Sequence, residues 1–327
     1  MQDSDFLKQK ARGALLGLAA GDALGMPTEG MTRQEIVRQF GVLDDFTDKH
    51  GGGTDDTEYM VLTALALLRG KGEPDSRHIE AVWRENLLGQ DEFRRGGKSE
   101  RDAIDNLKRG MRPPRTGLFG SMRLSDGAAM RIAPCGVYWY GDPQCAAASA
   151  QADASVSHAY DGIWAAQALA ASVAEAVTME NPDPDAVVEA GLAQIPSDSW
   201  IHFRIREACD IARGASSLEE AYDDLIASCV CVRASIVAEA VAQAFAVFAK
   251  NGSDTRAAII GGANLGRDAD TVAAMAGALA GAMNGEQSIP QSWRDRVRIV
   301  RGTCIHSTRE TDLADLANRL IDARANV

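Results

Sequence analysis

A chain of 327 residues with 46% hydrophobic and 24% charged residues is long enough to bury an ample core, as one large domain or two, and has the composition of an ordinary globular protein. Its formal net charge of −12 argues against a nucleic-acid partner, because phosphate binding needs clustered Lys and Arg. No apolar run reaches the roughly 18 uninterrupted residues of a membrane span, and no basic-then-apolar leader opens the chain, so a cytoplasmic location is expected.

From residue 5 to 24 the apolar positions Leu7, Ala11, Ala14, Leu15 and Leu18 keep a helical period, closed by Pro27. Gly13, Gly17, Gly21 and Gly25 lie four residues apart inside it. Each interior glycine costs a helix about 0.8 to 1.0 kcal/mol relative to alanine, a penalty that close approach of another backbone can offset. Asp22 falls on the last turn, either as an acceptor behind a site or as a solvated charge. Thr28 and Glu29 stand in the turn before a short helix over 32–40.

The stretch Gly51-Gly52-Gly53-Thr54-Asp55-Asp56-Thr57 then runs directly into an apolar helix over 57–69. Two carboxylates and a threonine hydroxyl at a helix start suit Mg²⁺, Mn²⁺ or Ca²⁺ rather than zinc. Asp and Thr are also favoured helix caps, and taken singly the motif reads more readily that way. A helix over 79–88 carries Trp83, read as core. Residues 91–127 are the least regular part, with Arg94, Arg95, Gly96, Gly97, Pro113, Pro114, Gly117 and Gly120, and read as a loop over a pocket or across the surface.

Ala128-Ala129-Met130-Arg131 and Ala133-Pro134 open the next helical region, and two helices over 146–178 break near Ser157-His158-Ala159-Tyr160-Asp161-Gly162. His158 there can cap, pack or touch a phosphate. Further helices are expected over 185–194, 199–213, 218–226, 233–250 and 311–324, and no period-2 run argues a sheet. Six cysteines without a CxxC pair and five histidines without HExxH offer neither zinc spacing nor a disulfide framework.

Gly266-Arg267-Asp268-Ala269-Asp270-Thr271 repeats the glycine, carboxylate, threonine, helix arrangement far downstream, followed by Gly277, Gly281 and Gly285 in an Ala-rich helix. The duplication strengthens the metal reading. Gathering four carboxylates without cations is strongly unfavourable, and two glycine-striped helices packed together would bring the clusters to one place.

Gly21-Asp22-Ala23-Leu24-Gly25 with Pro27 and Glu29, Thr54-Asp55-Asp56-Thr57, Gly127-Ala128-Ala129-Met130-Arg131, Ser157-His158 and Asp268-Ala269-Asp270-Thr271, in that order, resemble the ADP-ribosylglycohydrolase family. The resemblance implies an all-α fold, a compact orthogonal helical bundle formed by a single domain over 1–327, with two divalent cations, Mg²⁺ or Mn²⁺, at the base of a cleft. It implies metal ligands Thr54, Asp55, Asp56, Asp268, Asp270 and Thr271, with Glu29, Asp56 and Asp268 in the chemistry. Asp126, Gly127, Met130, His158 and Arg267 fall on the substrate side. The expected activity is cleavage of the glycosidic bond of an ADP-ribosyl group on a protein or small molecule. Asp126 stands where the family often has asparagine, and Arg267 where many relatives have glycine. A carboxylate at 126 disfavours a nearby diphosphate unless paired, so a smaller N-riboside or ribosylated metabolite remains an alternative, with Arg267 as a phosphate partner or a space filler. The rival of another class is a catalytically silent, crystallin-like binding or structural member.

Overall fold

The computed structural model describes residues 3–47, 52–90 and 95–325. From the N-terminal side, α1 (Ser4–Gly25) passes through a 3-10 turn (Met26–Thr28) to α2 (Arg33–Phe40), α3 (Asp55–Gly70), α4 (Ser76–Leu87), α5 (Lys98–Lys108) and the single turn α6 (Arg115–Leu118). Then come α7 (Ala133–Tyr138), α8 (Pro143–Ala154), α9 (Asp161–Thr178), α10 (Pro184–Leu192), α11 (Trp200–Gly214), α12 (Leu218–Cys229) and α13 (Val237–Asn251). α14 (Thr255–Ala263), α15 (Ala269–Asn284), α16 (Gln291–Val297) and α17 (Leu313–Ala325) complete the order. The fold is all-α, and among the described residues strand pairing is confined to isolated bridges, Ser125 with Ile236 and Ile299 with Asp312.

Local chemistry accounts for many of the starts. Asp3, Asp75, Asp142, Asp183, Ser199, Ser217 and Asp254 each accept a backbone N–H with their side chains, and Thr32 forms a reciprocal capping box with Glu35. The expectation of a loop across 91–127 is corrected by α5 and α6. The apolar face of α5 is only Ala103, Ile104 and Leu107, in a strongly charged segment flanked by glycine and proline, so its period is hard to see. Gly51 and residues 91–94, Arg94 among them, lie outside the described residues. α13 begins at Val237 rather than 233, because the residues before it bond across to 124–126: Ser235 O accepts from Asp126 N at 2.8 Å, and Val237 N donates to Leu124 O at 3.1 Å.

At the centre α1 and α15 pack antiparallel, backbone on backbone. A Cβ on Gly17 would stand 2.2 Å from Gly277 O and one on Gly277 2.3 Å from Gly17 O; Gly13 and Gly281 block one another in the same way at 2.1 Å. Further along, Gly21 meets Ala273 and Gly25 meets Ala269 and Asp270. The antiparallel sense sets the C-terminal end of α1 beside the N-terminal end of α15, which places the turn after α1 against the second acidic cluster.

Candidate active site

Asp22 is fully buried on the last turns of α1 and binds the start of α3. Its carboxylate accepts from Thr54 N and Thr54 Oγ1, both at 2.6 Å, and from Thr57 N at 3.1 Å and Thr57 Oγ1 at 2.5 Å. The capping of α3 is therefore supplied from another helix, and the solvated alternative for Asp22 is corrected. Neither Thr54 nor Asp268, the residues in the N-cap positions of α3 and α15, makes a side-chain capping bond. The cap reading set beside the metal reading thus has no bond behind it at these two residues.

The second acidic turn is fixed by the turn after α1. Gly30 N donates to Arg267 O at 2.6 Å and Arg267 N to Met31 O at 2.8 Å, tying the Glu29 turn to the Asp268 turn. Gly266 has φ of 81°, and a Cβ there would stand 2.5 Å from Met31 O, so both its backbone conformation and this close approach require glycine.

Both turns open on one cavity of about 730 Å³, lined by Glu29, Asp55, Asp56, Asp268, Asp270 and Thr271, with Asp126, Gly127 and Met130 beside them. One carboxylate oxygen each from Glu29, Asp268 and Asp270 fall within 4.8 Å of one another. Asp56 Oδ2, Asp126 Oδ2 and Asp268 Oδ2 are buried without a hydrogen-bond partner among the described residues. Unpaired buried oxygens of this kind are costly and fit hard divalent cations. Arg95, Lys98, Arg101 and Arg233 also line the cavity, adding basic side chains to its acidic lining.

Burial dominates the electrostatics. Asp22 and Asp268 are each pushed up to about 6 by desolvation, Asp22 against the bonds from Thr54 and Thr57 and Asp268 against a bond from Asp126. Desolvation, then repulsion from neighbouring carboxylates, holds Asp56 and Asp270 well above the usual range. Desolvation, then repulsion from Asp268, holds Asp126 well above the usual range as well.

Two residues expected on the substrate side stand off the cavity lining. Arg267 does not line the cavity; its guanidinium is bound to Glu239 and, at 3.0 Å, to Cys231 O. His158 is fully buried behind the wall, 3.0 Å from Ser125 Oγ through Nε2 and 2.7 Å from Ser157 Oγ through Nδ1, and burial lowers its pKa well below the usual value. It belongs to a closed circuit: Ser157 bonds Arg131 at 3.0 Å, Arg131 reaches Glu100 at 3.3 Å, Glu100 accepts from Ser99 at 2.7 Å, and Ser99 lies 2.8 Å from Ser125. Of this circuit, Ser99, Glu100 and Ser125 face the cavity. Thr54 is buried, donates its hydroxyl to Asp22 and is not a lining residue. Lys98, Glu100, Arg101 and Arg233 escape the sequence reading, the first three because α5 does; no local signal marks Arg233.

An all-helical chain whose distant acidic turns share one cavity defines a class, and the comparisons agree with it. The ADP-ribosylglycohydrolase family matches residues 3–326, and the protein belongs to that family. It is similar to the ADP-ribosyl-[dinitrogen reductase] glycohydrolase of Rhodospirillum rubrum, 28% identical over 304 residues, covering 88% of this chain and 90% of the relative. It is 27% identical over 296 residues to the ADP-ribosylarginine hydrolase Tri1 of Pseudomonas putida (strain GB-1), covering 88% and 74%. A solved structure titled ADP-ribosylglycohydrolase-related protein complex superposes with a TM-score of 0.67 at 25% identity, covering 98% of this chain and 99% of the other. Among the described residues no helix is long and apolar enough to cross a membrane.

Proposed function

We propose that this protein is a divalent-cation-dependent hydrolase that cleaves the glycosidic bond at the anomeric carbon of an ADP-ribosyl group carried by a protein or small molecule. The observation that carries the reading is the meeting of Asp55 and Asp56 with Asp268, Asp270 and Glu29 at one cavity, with buried carboxylate oxygens left unpaired. Family membership and the relatives named above support it. The chain is read as one domain over 1–327, since the family match and a core that includes residues of both α1 and α17 extend along it.

Asp55, Asp56, Asp268, Asp270 and Thr271 would hold two cations, Mg²⁺ or Mn²⁺, with Thr54 behind them. When bound, such ions supply Lewis acidity toward the ribose hydroxyls and the attacking water. The surrounding carboxylates stabilise the positive charge that develops on the anomeric carbon as its bond to the leaving group breaks. Glu29, exposed at the cavity edge, delivers a proton to the leaving atom, water oxygen takes its place on carbon, and the proton that water sheds returns to the ionised Glu29. Gly127 and Met130 shape the wall beside the sugar. Lys98, Arg101 and Arg233 offer positive charge to the diphosphate.

The second reading is a smaller N-riboside or ribosylated metabolite; Arg267 favours it, because its guanidinium is committed to Glu239 rather than free for a phosphate. A metal-supplemented hydrolysis screen across ADP-ribosyl-arginine, ADP-ribosyl-serine, O-acetyl-ADP-ribose and simple ribosides separates the two. Release of ADP-ribose is expected. Release of ribose alone selects the second reading, and no turnover together with no cation binding selects the silent, crystallin-like one.

A further inference from the structure

Arg95 reaches into the acidic side of the cavity and pairs with three carboxylates from three separate segments. They are Glu29 in the turn after α1, Asp55 at the start of α3, 3.6 Å from Nε, and Asp270 at the start of α15, 3.4 Å from Nη2. Glu29 and Asp270 are two of the three residues whose oxygens lie within 4.8 Å of one another. A guanidinium and a divalent cation draw on the same lone pairs, and a positive side chain held a few ångströms from a doubly charged ion in a partly desolvated site is repelled.

The backbone of Arg95 is anchored independently of its head group: Cys304 Sγ bonds its carbonyl oxygen at 3.2 Å. The side chain is 32% exposed. Releasing the three carboxylates by rotation of this long side chain leaves that backbone bond in place.

We propose that Arg95 is an internal counter-cation of the acidic centre: it neutralises Glu29, Asp55 and Asp270 until a divalent cation takes the oxygens of Asp55 and Asp270, and cation loading displaces it. The inference rests on the cation reading given under Proposed function. Arg95 is a positioning residue that sets how readily the centre loads.

The test is calorimetric titration of Mn²⁺ into the full chain and into R95A and R95Q, with melting temperatures of the cation-free proteins. Removing the competitor should tighten Mn²⁺ binding about tenfold, a size that three partly exposed ion pairs together can reach. R95A should also melt below wild type without cations, and low-millimolar guanidinium chloride should raise that melting temperature and weaken Mn²⁺ binding to R95A, a rescue that a structural role would not produce. R95Q keeps much of the side chain's bulk and serves if R95A does not fold. Wild-type affinity or weaker binding in the variants, or no effect of guanidinium, overturns the inference while the cation reading stands. Failure of wild type itself to bind Mn²⁺ overturns both.

Discussion

At Asp22 a single carboxylate answers four donors at the start of α3, and that exchange leaves Asp55 and Asp56 free to face the cavity. Asp56→Ala and Asp268→Ala are expected to lower kcat/KM for an ADP-ribosyl substrate by about a hundred- to a thousandfold, of the order seen when a single group stabilising transition-state charge is lost. Far-UV circular dichroism should be unchanged, and full activity in both variants removes the proposed roles. The pH dependence follows from Asp22 and Asp268, whose pKa values of about 6 lie above the ordinary 3.8. Below the unfolded value both states hold the proton. Between the two values the folded protein binds protons that the unfolded chain has lost, so the stability this gives declines as pH rises through about 6. Cations bind the ionised carboxylates, so the gain in melting temperature on adding Mg²⁺ should be larger at pH 8 than at pH 5; a gain independent of pH would contradict the assignment. The carboxylates themselves are legible in the sequence because two turns repeat the same residue types. Arg267 and His158 are not, because partners that fix them, Glu239 in one case and Ser125 in the other, come from segments that nothing local in the chain joins to them.

The elements that bring the site together are α1 and α15, and the regular spacing of their glycines marks the contact in the sequence itself. Gly17→Ala or Gly277→Ala gains helix propensity but drives a methyl group into the facing carbonyl, so the helices must part. The expected net loss is roughly 1–3 kcal/mol, the usual cost of overpacking a filled contact, measured by urea unfolding. A neutral or stabilising effect would mean that the pair is not packed this way. Glu58, by contrast, carries no motif. It is buried on α3 and accepts from Thr303 N at 2.6 Å, Cys304 N at 2.9 Å and Ile305 N, holding the segment before α17 against α3. Glu58→Ala leaves those donors unpaired and should cost roughly 2–4 kcal/mol in the same assay. Nothing near residue 58 distinguishes this carboxylate from the solvated ones, because its partners lie in a segment remote along the chain. α5 is missed for a related reason, its apolar face being too short to carry a period between glycine- and proline-rich flanks.

Over the whole molecule, one arrangement serves both folding and the proposed chemistry: the antiparallel central pair sets two acidic turns at a single cavity, and the buried charge there is a liability that cations would offset. All-helical architecture is legible from period alone, and the family from its ordered motifs; the depth of carboxylate burial is not, because it depends on how closely α1 and α15 approach. The most direct measurement is the melting temperature of cation-stripped protein as Mg²⁺ or Mn²⁺ is added. Binding to the folded state alone stabilises by about 2.7 kcal/mol at one hundred times the dissociation constant. The melting temperature should therefore climb with cation concentration in the wild type and much less in Asp56→Ala and Asp268→Ala. A melting temperature unmoved by either ion across the accessible range would contradict the account.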